Sequence, residues 1–309
     1  MLSIHKPVLL SEVIKYLNPQ ANQNFIDCTV GGGGHAEAIL EATGPKGKLL
    51  GLDADPEAID RAKEKLQKFS QRLTLVNDSY VNVKKITYDQ RFNSIHGILL
   101  DLGLSSDQLQ TSGRGFSFLA LEPLDMRFDN INNSLTAMEI VNHWSESELV
   151  RIFKEYGEEQ YAKQVAKEIV QSRKESEIKT TFDLVAIINK VIWSRKRINP
   201  STKIFQALRM AVNSELDNVS KVLEDAVGLL ESGGRLGIIS FHSLEDRIIK
   251  QYFKKESVDC LCPPNIPVCR CGHKASLKLI TKKPIVGTDK EIRLNPRARS
   301  AKLRVIEKL

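Results

Sequence analysis

The chain has 309 residues, 41% hydrophobic and 27% charged, an ordinary globular composition with room for one large domain plus an insertion. No basic start leads into a long apolar core at Met1–Leu10, and no stretch reaches the ~18–20 apolar residues of a membrane span, so the expectation is a soluble cytoplasmic protein. The net charge of +7 is uneven: residues 270–309 hold 12 basic and 3 acidic side chains, which leaves −2 for the first 269, and such a basic tail is either a footprint for a polyanion or a solvated basic face.

Strand and helix signals alternate over the first hundred residues. Asn24 to Val30 is expected as a buried strand, ending in Gly31-Gly32-Gly33-Gly34 and a helix from His35 to Ala42. Lys48–Asp53 is a second strand, and a Pro56-initiated amphipathic helix runs to Phe69. Leu73–Val76 and Ile95–Asp101 are the third and fourth strands. Apolar strands alternating with helices predict a mostly parallel sheet covered on both faces.

Beyond Leu104 the rhythm stops. Residues 105–128 have loop composition, and four amphipathic helices follow without strands: Thr136–Asn142, Ser147–Tyr156, Tyr161–Ser172 and Thr181–Val191. Thr202–Glu231 is one long helical stretch, bent or broken near Asn213–Asp217 and stopped at Ser232-Gly233-Gly234. Arg235–Phe241 is a fifth strand, Ser243–Lys255 another helix, and Leu277–Ile285 with Ala301–Ile306 a terminal hairpin. The expected organisation is 1–107 and 204–309 as one α/β domain, with 108–203 as an inserted all-helical domain.

Chemistry gathers at the carboxyl ends of the strands, where open α/β sheets bind ligands. The segment DCTVGGGGH, Asp27 to His35, brings backbone close to a ligand because glycine lacks a Cβ, and Asp53 lies twenty residues beyond Gly33, where a carboxylate accepts ribose hydroxyls. Taken alone this fits NAD as well as S-adenosylmethionine, and a glycine turn without ligand is the plain alternative. Asp27 before the glycines suits the ammonium of a methionine moiety, and Asp78-Ser79-Tyr80 after the third strand suits adenine, with Tyr80 stacking or merely packing. The terminal hairpin matches the last strands of the class I S-adenosylmethionine-dependent methyltransferase fold, a Rossmann-like sheet. Asp101, ending the fourth strand, is the candidate catalytic acceptor for the N–H of an exocyclic amine, and it equally suits a cofactor contact. Methylation at carbon needs a cysteine nucleophile, usually in a Pro-Cys pair. None occurs, and Cys28 sits inside the first strand on its cofactor side, so nitrogen is the expected acceptor atom.

Several blocks carry a resemblance: DCTVGGGGH, DLGLSS from Asp101 with Gln108-Leu109, GFSF from Gly115, and PLDMRF from Pro123. INPSTKIFQALRMAVNSEL from Ile198, SGGRLGIISFHSLEDRIIK from Ser232 and NPRARSAKLRV from Asn295 continue it. In order from Asp27 to Val305, they closely resemble the ribosomal RNA small subunit methyltransferase H family. The resemblance implies N4-methylation of a cytosine in the decoding region of 16S rRNA, with S-adenosyl-L-methionine as cofactor and 16S rRNA or the small ribosomal subunit as partner. It places cofactor contacts at Gly33, Gly34, His35, Asp53, Tyr80, Asp101 and Gln108, beside Asp27 and Gly31 from the residues themselves, and it matches the helical insertion 108–203, which it implies is a substrate-recognition domain. It implies no membrane partner and leaves monomer or homodimer open. Rival readings are a methyltransferase for another nucleic-acid amine, an NAD-dependent oxidoreductase, and a non-catalytic RNA-binding protein on a relict fold.

Basic residues supply candidate RNA contacts. Lys190 to Met210 contains no acidic residue, and Arg195, Lys196, Arg197 and Lys203, together with Arg297, Arg299, Lys302 and Arg304, would grip phosphates. Arg209, on an apolar helix face, fits a bracing role. His35 is expected to meet the cofactor through its backbone N–H. His242 is either a proton shuttle or part of a helix start, where Ser243 and Asp246 form an S-x-x-D cap. No metal is needed for methyl transfer. Cys260-x-Cys262 and Cys269-x-Cys271 are either reduced thiols in a surface loop or a structural four-cysteine zinc site of unusual spacing.

Overall fold

The computed structural model describes residues 7–104, 112–193, 199–263 and 268–309. Gln108, Arg195, Lys196 and Arg197 therefore lie outside the described residues. The chain divides into two compact units, Met1–Gly103 with Leu216–Leu309, and Leu104–Glu215.

The helices are α1 (Leu10–Leu17), α2 (Gly34–Ala42), α3 (Pro56–Lys65), α4 (Val83–Asp89), α5 (Ala137–His143), α6 (Glu146–Glu155), α7 (Ala162–Ser172), α8 (Thr181–Val191), α9 (Ser201–Val212), α10 (Glu215–Leu229), α11 (Ser243–Glu256) and α12 (Asp289–Leu294). The strands are β1 (Asn24–Asp27), β2 (Leu49–Asp53), β3 (Leu73–Asn77), β4 (Ile95–Asp101), β5 (Leu230–Ser240), β6 (Leu277–Leu279), β7 (Ile285–Val286) and β8 (Lys302–Lys308). They form one sheet of order β3-β2-β1-β4-β5-β8-β6, with β7 also on β8. The first five strands are parallel, and β8 runs antiparallel between β5 and β6. A parallel sheet closed by an antiparallel strand in this order is the α/β architecture of class I methyltransferases.

Alternation along each strand decides which helices it meets. Phe25, Leu49, Leu99, Ile239 and Leu303 join one core with Val13 and Leu17 of α1 and Ile39 and Leu40 of α2. Ile26, Leu50, Ile98, Leu100 and Ile238 join the other with Val219 and Leu223 of α10 and Ile249 and Phe253 of α11. Both faces are dry, which is why the strands lack a polar side. At Gly97 a Cβ would collide with the ring of Phe25 on the paired strand, so the glycine lets that ring lie across β4.

Several boundaries differ from expectation for local reasons. The break in the long helical stretch is at Asn213 and Ser214, where Ser214 takes φ 49. Chain from α10 enters β5 directly at Leu230, before Ser232-Gly233-Gly234. The expected strand Leu277–Ile285 is two short pieces on one edge of β8. Between them the N–H groups of Ile280 and Thr281 both point at the carbonyl of Val305, and Pro284 has no N–H to offer. The loop expected before β8 contains α12, capped by Thr288. Helices α1 and α4 had no place in the sequence expectation.

The second unit is helical. Ser145 with Glu148 and Thr180 with Asp183 form capping boxes for α6 and α8. Its core gathers Leu149, Phe153, Val165, Ile169, Leu184, Ile188, Ile204 and Leu208. Since Ile204, Phe205 and Leu208 of α9 belong to this core, the compact unit runs to Glu215, twelve residues past the expected end of the insert. Asn213 pins the PLDMRF segment: its Oδ1 accepts from Phe128 N at 2.8 Å and its Nδ2 donates to Met126 O at 2.8 Å. Phe116 of GFSF stacks on Phe128, centroids 5.6 Å apart. Among the described residues no helix is long and apolar enough to cross a membrane.

Candidate active site

The glycine turn is a backbone device. Gly31 and Gly33 take φ 50 and 78, a left-handed region that side chains disfavour, and Gly33 is the N-cap of α2. Gly33 N–H donates to Val30 O at 2.8 Å, closing the turn. Gly31 N–H donates to Asp53 Oδ2 at 2.9 Å, and Asp55 N–H to Asp53 Oδ1 at 3.0 Å. The carboxylate ending β2 thus holds the turn that follows β1. Burial pushes its pKa up to about 6, although both amide bonds pull it down.

Asp27 and Asp101 end the neighbouring strands β1 and β4. Thr29, a member of DCTVGGGGH with no role assigned to it from sequence, joins them: its N–H meets Asp27 Oδ1 at 3.2 Å, and its Oγ1 accepts from Asp101 N at 2.6 Å. Asp27 is 1% exposed. Its Oδ2 and the Oδ1 of Asp101 are buried with no hydrogen-bond partner among the described residues. Burial raises Asp27 to about 7, with Asp101 and Asp53 adding repulsion. Burial likewise raises Asp101 to about 7, against the pull of the Arg297 cation. Two buried carboxyl oxygens with open acceptor positions can accept hydrogen bonds from a cationic, N–H-bearing ligand.

His35 is buried, and its Nε2 donates to Val8 O at 2.9 Å. Burial holds its pKa down to about 4, so the ring is neutral and Nδ1 is an acceptor, 3.8 Å from Asp101 Oδ2. The side chain, rather than only the backbone N–H, is therefore part of the site.

The purine-side candidates lie after β3. Ser79 caps a short 3-10 turn, Tyr80–Asn82, while Asp78 Oδ1 accepts from Ser79 N and Asn82 Nδ2. Tyr80 is half-buried against the α10 side of the core. Cys28 is not on a ligand-facing side: its thiol is buried in that same core, where burial drives the pKa well above the ordinary thiol value, so it is no nucleophile.

After β5 the cap falls one residue earlier than expected. His242, not Ser243, caps α11, and Glu245 accepts from the N–H groups of Phe241 and His242 at 3.0 and 3.4 Å. His242 is thereby a helix cap. Arg297 stands over the ring of Phe241 at 5.8 Å, and its charge acts on Asp101. Arg304 is buried in a two-pronged pair with Asp246 at 2.6 and 3.2 Å, and Lys302 reaches the same carboxylate at 3.6 Å. Both are braces. Arg209 braces Glu215 at 2.8 and 3.0 Å. Lys203 is exposed and donates to Glu158 O at 2.7 Å, and Arg299 is exposed.

Residues 2–309 match the MraW methylase family model. The chain belongs to the MraW methylase family. A protein of Thermomicrobium roseum named ribosomal RNA small subunit methyltransferase H is 47% identical over 99% of this chain and 94% of its own length. Proteins of the same name from Heliobacterium mobile and Clostridioides difficile strain 630 are 47% and 44% identical, covering 99% of both chains in each case. MraW family membership thus spans both units, including the helical insertion.

Proposed function

We propose that this chain methylates the N4 amine of a cytosine in the decoding region of 16S rRNA, using S-adenosyl-L-methionine. The reading is carried by the paired open acceptors, Asp27 Oδ2 and Asp101 Oδ1, on either side of the glycine turn. Bound there, the cofactor would supply an electrophilic methyl group on a sulfonium. Asp27 would take its ammonium, the turn from Gly31 to His35 would lie against its methionine end, Asp53 would take ribose hydroxyls, and Tyr80 would lie against adenine. Gln108 is carried over to this set from the family resemblance alone. The full-length relatives, each named for small-subunit ribosomal RNA, support the substrate class.

The amine of cytosine is a poor nucleophile because its lone pair is delocalised into the ring. Asp101 Oδ1, accepting from that N–H, localises the lone pair on nitrogen and takes up the positive charge that develops as the new N–C bond forms. Positioning supplies most of the remainder. The buried Cys28 thiol, just beyond β1, leaves carbon methylation without a cysteine nucleophile there. The helical unit and its basic run, Lys190 to Lys203, would contact the RNA, as would Arg299. The setting follows from the substrate: a cytoplasmic protein working on ribosomal particles.

The test is labelled methyl transfer to small ribosomal particles from a strain lacking the protein, with the product nucleoside identified by mass. N4-methylcytidine formed by the native chain, and lost in Asp101→Ala, is the expected result. Methylation at a cytosine carbon, or undiminished activity in that variant, overturns the reading.

A further inference from the structure

The loop between α11 and β6 carries a cluster that methyl transfer does not use. Cys260, Cys262, Cys269 and Cys271 are free thiols, three of them exposed. All four sulfurs lie within 4.8 Å of one another. Along the edges of the cluster, Cys260 to Cys269 is 3.4 Å, Cys269 to Cys271 3.6 Å and Cys271 to Cys260 3.9 Å. A zinc ion with four sulfurs at ~2.3 Å sets them on a tetrahedron with edges of ~3.8 Å.

The backbone around the cluster is arranged for thiolates. The residue after the first cysteine of each pair donates its N–H to the second cysteine of the opposite pair: Leu261 N to Cys271 Sγ and Arg270 N to Cys262 Sγ, both at 3.3 Å. Cys262 N adds a bond to Cys260 Sγ at 3.4 Å. This pseudo-twofold exchange removes the difficulty that a C-x-C pair is too short for a knuckle, because each pair is completed by the other rather than closed on itself. Amide donors to metal-bound sulfur are the usual outer partners of such a site.

Burial does not explain the convergence, since Leu261 and Val268 beside the thiols are themselves exposed. His273 is committed elsewhere, with Nε2 donating to Lys255 O at 3.0 Å, so the donor set is four sulfurs. The chain around them is anchored by Ala275 N to Asp259 Oδ1 at 3.2 Å and Ser276 N to Glu256 O at 2.9 Å. The exposed cations Arg270 and Lys274 flank the cluster and would offset the net −2 charge of zinc bound by four thiolates.

We infer that Cys260, Cys262, Cys269 and Cys271 form a structural tetrathiolate site for one zinc ion, which clips the Cys260–Cys262 and Cys269–Cys271 segments together. Four soft donors in a closed tetrahedral set leave no open position, so the ion is structural and takes no part in methyl transfer.

The test is elemental analysis of the full-length protein purified under reducing conditions without chelator, and again after addition of equimolar zinc. One zinc per chain is expected. Replacement by Co2+ should give the intense visible bands of a tetrahedral tetrathiolate site, and four of the five thiols should become slow toward a thiol reagent. Cys260→Ser/Cys269→Ser should lose the metal while keeping S-adenosylmethionine binding, and His273→Ala should keep it. Absence of bound zinc after reconstitution, iron in its place, octahedral cobalt spectra, or equal zinc content in the double serine variant would each overturn the assignment.

Discussion

His35 and Asp101 face each other acceptor to acceptor, with Nδ1 3.8 Å from Oδ2. The imidazole has committed its proton to Val8 O and is held neutral by burial, so it cannot form an ion pair with the carboxylate. Without ligand, the lower-energy arrangement puts a proton on Asp101, consistent with its pKa of about 7. A bound cation or N–H donor removes the need for that proton.

Cofactor binding should therefore strengthen as pH rises through about 7, because the ionised forms of Asp27 and Asp101 are the ones a cation selects. Calorimetry in buffers of different ionisation enthalpy should detect proton release on binding below that pH. Affinity that is flat, or that weakens with pH, would contradict the acceptor role described for the two carboxyls.

The same groups set the pH dependence of ligand-free stability. The folded chain keeps protons on Asp27 and Asp101 up to about 7, while the unfolded chain releases them near ~4. Their contribution therefore makes stability fall as pH climbs from about 4 to about 7. His35 acts oppositely, since its folded pKa is depressed to about 4, and its contribution is lost as pH falls from ~6.5 toward that value. Comparing urea unfolding of Asp27→Asn with the native chain separates the two: the variant should gain stability relative to native as pH rises through this window.

Asp101→Ala should lower methyl transfer by on the order of a hundredfold or more while the protein stays folded. Arg297→Met should act more subtly. Arg297 pulls the Asp101 pKa down, so its removal should move the acidic limb of the rate profile to higher pH. A limb that stays in place would remove Arg297 from the site.

Asn213→Ala tests whether the PLDMRF segment is a packed element of the helical unit. The change leaves Phe128 N–H and Met126 O without their partner, which should cost roughly 2–6 kcal/mol at about 1–3 for each orphaned group. Chemical denaturation gives the value, and a loss near zero would mean that water replaces the amide freely.

Two arginines five residues apart should separate cleanly. Arg304→Met strands half-buried Asp246 and should destabilise by about 2–4 kcal/mol, somewhat below the usual loss for a broken buried pair because Asp246 is partly exposed and Lys302 remains at 3.6 Å. Arg299→Ala, at an exposed position, should leave stability unchanged. It should lower the slope of RNA affinity against salt by ~1. The reverse pattern would exchange their roles.

Much of the fold and of the candidate site was legible in the sequence. The continuous apolar runs at Phe25–Ile26, Leu49–Leu52 and Ile98–Leu100 announce strands buried on both faces, and the glycines with Asp27, Asp53 and Asp101 announce the strand ends where the candidate site lies. These signals are local: they arise from residues within one element, where burial and backbone freedom write directly into residue type. The cap of α11 falls one residue from its expected place because His242 and Ser243 both offer a suitable acceptor, and only the position of Glu245 decides between them.

Sequence alone determined that this chain would be a parallel α/β sheet with a helical insertion and a carboxylate-lined glycine turn, since periodicity and glycine placement are properties of short segments. Tertiary structure decided what those side chains face. Arg304 and Arg297 have the same charge and lie in the same basic tail, yet one is paired with Asp246 and the other acts on Asp101. Thr29, inside the glycine motif but with no role assigned to it there, and Val8, in no motif, hold the backbone of Asp101 and fix the tautomer of His35. Helix α9 could have packed with either unit on periodicity alone. Each of these outcomes depends on pairing between residues far apart in the chain, and on the removal of water around them, neither of which a local pattern contains.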